Sequence, residues 1–102
     1  MSITVLGSKQ PFEEYLIQFD FANDLGSSED AASAEVSAID LEDNSDVTDT
    51  VTDSTEQIIS GTSVYVWVRA GTDKHNYKIT CKVTGDSGSK YELEAVLPVA
   101  EV

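Results

Sequence analysis

The stretch VYVWVRAGTDKHNYKITCKVT, residues 64–84, carries the clearest structural signal in the chain. In its first half Val64, Val66 and Val68 alternate with Tyr65, Trp67 and Arg69; in its second half Tyr77, Ile79, Cys81 and Val83 alternate with Lys78, Thr80, Lys82 and Thr84. A side-chain period of two is that of a β-strand, whose successive residues point to opposite faces. Between the runs, AGTDKHN supplies Gly, Asp and Asn, residues suited to a turn. The stretch therefore reads as a β-hairpin with one face of each strand turned to a core.

Working outward, EEYLIQFDFAND (residues 13–24) reads as a strand, with Tyr15, Ile17, Phe19 and Phe21 opposite Leu16, Gln18 and Asp20. DLGSSEDAA (24–32) has loop composition, and SAEVSAIDL (33–41) offers Ala34, Val36 and Ala38 against Glu35 and Ser37, a further strand. QIISGTSVYVWV (57–68) places Ser60, Gly61, Thr62 and Ser63 between two β-rich runs, a hairpin turn. After the turn GDSGS (85–89), KYELEAVLPV (90–99) sets Tyr91, Leu93, Ala95 and Leu97 against Lys90, Glu92, Glu94 and Val96. Pro98 argues against a central position for the end of that strand. Outward Lys78 and Lys82 are placed to meet Glu92 and Glu94. About seven short strands and no amphipathic helix predict an all-β, antiparallel two-sheet sandwich, with residues 1–102 as a single domain.

Charge narrows the partners. Against 6 Lys+Arg stand 19 Asp+Glu, a net charge of -13 that opposes binding to nucleic acid and to anionic membrane surfaces. It suits solubility, a basic protein surface, or cation capture. Cys81 is the sole cysteine, which excludes an intrachain disulfide and a cysteine zinc cluster and fits a reducing compartment. The N-terminal stretch has neither a basic start nor a long apolar run, and it reads as neither signal peptide nor membrane span.

The residues that could carry chemistry are few. Cys81 falls on the core face, where a thiol acts as a small apolar group, and His75 reads as a solvated turn residue. No phosphate loop, HExxH or CxxC occurs, and the chain reads as a non-enzyme. Residues 42–57, EDNSDVTDTVTDSTEQ, form an acidic loop or, at VTDTVT, an edge strand. Asp43, Asp46, Asp49 and Asp53 there are candidate Ca²⁺ ligands, hard oxygen donors in a loop-rich tract, though without the EF-hand order. Ca²⁺ is the one cofactor this composition suggests, and a Ca²⁺-binding or host-surface-binding module is the alternative to a structural role. Tyr65, Trp67 and Arg69, outward if the valines face the core, are residue types enriched at interface hot spots.

Residues 64–99, preceded by EEYLIQFDFANDLGSSEDAASAEVSA (13–38), resemble a family of small phage and prophage proteins of similar length. The resemblance rests on Phe19 and Phe21 in an aromatic first strand, Trp67-Val68, the Ala70-Gly71-Thr72 turn, and Tyr77, Ile79, Thr80 and Cys81. It implies an Ig-like (fibronectin-like) sandwich without catalytic residues, a head, neck, tail or decoration component. Its partners would be other virion proteins or copies of itself, and its place the bacterial host cytoplasm during assembly and the virion. The chain departs from an antibody-type domain in having one cysteine, and Tyr77, a candidate corner tyrosine, stands four residues before Cys81 rather than two.

Overall fold

The structure, a computed structural model, describes residues 3–25, 29–53 and 57–101. Eight strands form among them: β1 (Ile3–Val5), β2 (Tyr15–Asp20), β3 (Ala31–Asp40), β4 (Ser45–Asp46), β5 (Ile58–Ser60), β6 (Ser63–Val68), β7 (His75–Gly85) and β8 (Lys90–Val99). They make a five-stranded sheet in the order β1-β8-β7-β3-β4 and a three-stranded sheet in the order β2-β6-β5. The pairs are antiparallel except β1 with β8, which is parallel. An all-β sandwich is what the alternation predicts.

The core forms where the alternating faces meet. Val64, Val66 and Val68 of β6 are fully buried, and their register sets Ile17 beside Val66 and Phe19 beside Val64. From the larger sheet come Tyr77, Ile79, Cys81 and Val83 of β7, Val36 and Ala38 of β3, and Ala95, Leu97 and Val99 of β8. Burying one aliphatic side chain contributes about 1.5–3 kcal/mol. By contrast, the ion pairs on the outer face, Lys78–Glu94 at 3.4 Å and Lys82–Glu92 at 4.0 Å, are worth roughly 0.2–1 kcal/mol each. The apolar faces hold the sandwich; the expected Lys–Glu pairs fix register.

The opening stretch is not a hairpin. β6 belongs to the small sheet and β7 to the large one, so residues 69–74 cross between sheets. Alternation specifies a strand's face and leaves its partner open. The crossing is built by backbone that few residues adopt: Ala70, Gly71 and Lys74 have φ of 52°, 98° and 70°. A Cβ on Gly71 would lie 2.8 Å from Val99 Cγ2. Tyr77 clamps the turn, its phenolic oxygen accepting the Thr72 N–H at 2.7 Å. The turn at Ser60–Ser63 is a true two-residue hairpin, with Gly61 at φ 60°.

The Thr- and Asp-rich tract meets expectation in part: β4 is a short edge strand of the larger sheet, paired with β3, but VTDTVT is not extended. Instead of an edge strand, VTDTVT contributes a single helical turn, α2 (Thr48–Val51); an earlier one, α1 (Ala22–Leu25), follows β2. Asp46 Oδ1 accepts from both the N–H and the hydroxyl of Thr48, at 3.0 and 2.6 Å, and this local pairing turns the chain out of extended form. Val51 and Thr52 are then buried, Thr52 bridging to Val68.

Candidate functional site

With the valines of β6 inward, Tyr65 and Trp67 emerge on the outer face of the small sheet, as the period requires. Register sets Leu16 beside Trp67, and Gln18 and Ile58 on either side of Tyr65. Leu16 is 41% and Ile58 51% exposed, so the two flank the aromatics as an open apolar surface. The turn before β2 adds Phe12, 94% exposed. That turn is fixed by Gln10 and Glu13: the Gln10 N–H donates to Glu13 Oε1 at 2.7 Å, and the Glu13 N–H to the Gln10 carbonyl at 3.0 Å. Pro11, Phe12, Glu13, Glu14, Tyr15, Trp67 and Ala70 line a shallow groove of about 850 Å³. Burial, and secondarily the charge of Glu13, pushes the Tyr15 phenol above its ordinary pKa.

Beneath the groove lies Lys9, fully buried. Its ammonium donates to the carbonyls of Gln10 (2.8 Å), Pro11 (3.2 Å) and Ala70 (2.5 Å). Desolvation draws its pKa down, while Glu13 and Glu14 draw it back up. Its backbone links Pro98 and Ala100 at the end of β8. An isolated lysine in a turn-forming run reads as solvated, and nothing in the sequence marks it for the interior.

Of the three interface candidates, Arg69 is placed differently from Tyr65 and Trp67. Its guanidinium donates to the Asp49 carbonyl at 2.9 Å and lies 3.9 Å from the Asp53 carboxylate. Its N–H reaches the Val51 carbonyl, and the Asp53 N–H reaches that of Trp67. Arg69 thus secures the chain's own acidic tract against β6.

Asp43, Asp46, Asp49 and Asp53 are not brought together as a ligand set. Among the described residues no group of three or more acidic, His or Cys side chains is arranged to hold a metal ion. Asp43 Oδ1 accepts from the N–H and hydroxyl of Ser45, at 3.0 and 2.6 Å, as Asp46 does from Thr48. Those hydrogen bonds lower both carboxyl pKa values.

His75 is no solvated turn residue. It opens β7, half-buried, with Nδ1 2.8 Å from Oδ2 of the buried Asp40. That hydrogen bond raises its pKa. Cys81 is buried as expected, and desolvation pushes its thiol up to about 12, far from a reactive thiolate.

The two outer faces differ in kind. The large sheet shows alternating charge, with Lys82 between Glu35 and Glu92; the small sheet shows aromatic and aliphatic groups edged by Glu13, Glu14 and Asp20. No helix among the described residues is long and apolar enough to cross a membrane.

Residues 9–98 match the family described as podophage GP4 fiber-tail adaptor protein gp77. The match covers most of the chain, and the chain belongs to that family, a family of phage structural proteins. No curated protein matches it.

Proposed function

We propose that this member of the fiber-tail adaptor family is a non-enzymatic component of the phage tail, joining other virion proteins through the outer face of its small sheet. The observation that carries this reading is the apolar face itself. Leu16, Ile58 and Phe12 leave large hydrophobic side chains in water beside the half-buried rings of Tyr65 and Trp67, an apolar patch of the kind that marks a protein–protein contact. Tyr65 and Trp67 serve as anchors, and Arg69 holds the acidic tract at their edge. The net charge of -13 favours a basic partner and faster encounter with it. An Ig-like arrangement is supported by the strand order and by the bond between Thr72 and the Tyr77 phenol near the start of β7.

The test is incorporation into particles. Phage made with Trp67→Ala should carry fewer copies of the chain per particle than wild type, counted by mass spectrometry. Phe12→Ser, at an almost fully exposed position that cannot unfold the domain, should lower it too. Normal incorporation of both variants would overturn the assignment of this face.

A further inference from the structure

The groove between Phe12 and Trp67 combines three features that select one kind of guest. Phe12, Tyr15 and Trp67 are among its lining residues, and the faces of aromatic rings attract a cation. Glu13 and Glu14 both line the groove. Both act on the Lys9 ammonium below, yet two carboxylates against one buried ammonium leave the opening net negative. The walls are also braced in advance, because Lys9 ties the carbonyls of Pro11 and Ala70, one from each side of the groove, to a single buried charge. Preorganisation of that kind lowers the ordering cost of binding. An uncharged apolar guest would gain nothing from the carboxylates, and an acidic one would be repelled.

We infer that this groove receives a basic side chain, arginine above all, presented by another virion protein. The inference rests on the proposed interface and specifies what its partner must offer. A guanidinium suits the site because it stacks on aromatic faces while donating to a carboxylate in its own plane.

Trp67 is the only tryptophan in the chain, so its emission reports on the groove directly. The probe is the blocked tripeptide Gly-Arg-Gly, titrated at low salt against its neutral citrulline counterpart, with backbone amide shifts followed in parallel. Saturable changes at Trp67 and residues 12–15 are expected, with the arginine peptide binding roughly two- to fivefold more tightly than citrulline. That ratio should fall toward one in Glu14→Gln, and the response should vanish in Phe12→Ala. Equal response to both peptides, shifts elsewhere, or no response would overturn the inference. So would a Trp67 change that follows protein concentration alone, which would make a second copy of this chain the occupant. If particles lose the Trp67→Ala chain while the peptides fail to bind, the interface stands and its basic guest does not. Arginine binding with normal incorporation of that variant would instead separate the groove from assembly.

Discussion

Lys9 and Ala70, distant in sequence, are joined through the protein interior: the lysine ammonium donates to the Ala70 carbonyl at 2.5 Å while also holding those of Gln10 and Pro11. Ala70 sits at φ 52°, a conformation an L-residue adopts at a cost of about 1–2 kcal/mol. The contact therefore closes the crossover and steadies a non-glycine residue held at positive φ. It also fixes Pro11, next to the exposed Phe12, relative to the chain leaving Trp67.

Lys9→Met keeps the aliphatic stem and removes the charge, leaving three carbonyls without their donor. Urea denaturation should show a loss of about 2–4 kcal/mol. Native Trp67 emission should shift as well, because the groove walls lose their common tie. Wild-type stability in this variant would show that water replaces the ammonium without cost.

Gly71 and Gly88 separate packing from backbone strain. Both have positive φ, 98° and 96°, but a Cβ on Gly71 would press on Val99 and Tyr77, whereas one on Gly88 meets nothing within 4 Å. Gly88→Ala should cost about 1 kcal/mol from conformation alone, and Gly71→Ala about 2–4 kcal/mol once overpacking is added. Thermal melts of the pair decide this, and equal losses would mean that β8 yields freely at Val99.

The sequence was readable wherever a side-chain face decided the outcome. Period-two alternation placed the inward residues of β2, β6 and β7, and the Lys78, Lys82, Glu92 and Glu94 charges indicated the pairing of β7 with β8. It could not distinguish a hairpin from a crossover at residues 69–74, because alternation is the same whichever sheet a strand joins. Tyr91, assigned inward on the same reasoning, is 36% exposed at the start of β8, where the strand has only begun to pair. The helical turn at α2 was hidden by its β-branched composition, since the Asp46 hydrogen bonds that bend the chain outweigh a weak propensity. Of the proposed site, Tyr65 and Trp67 were legible from alternation. Phe12 and Lys9 were not, because their opposite fates, one in water and one in the interior, depend on contacts from distant segments.

The Asp40–His75 pair makes stability depend on pH in a definite direction. Hydrogen bonding to Asp40 raises the His75 pKa, with burial opposing and the charges of Asp40, Glu42 and Asp43 assisting. A raised native pKa means that the native state holds the proton more tightly than the unfolded chain. The stabilisation is thus complete below about pH 6.5 and is lost as pH rises through the native value. His75→Gln should accordingly melt further below wild type at about pH 5.5 than at about pH 9. A difference that is constant with pH, or larger in alkali, would contradict the ionic component of the pair.

Ca²⁺ gives the last test, because the acidic tract is where charge alone suggests a site. Asp43 and Asp46 each commit one oxygen to a neighbouring hydroxyl and amide, and a carboxylate so engaged must give up those bonds to face a cation. Arg69 lies beside Asp53, where a cation would meet a like charge. A thermal melt with millimolar Ca²⁺ should match one with equal Mg²⁺ or with chelator, both ions producing only the screening expected of a chain this acidic. A site bound only in the native state would instead add about 2.7 kcal/mol at a hundredfold excess over its Kd. A Ca²⁺-specific rise of that size, abolished by Asp46→Asn, would require the tract to rearrange around the ion and would restore the cation-binding reading.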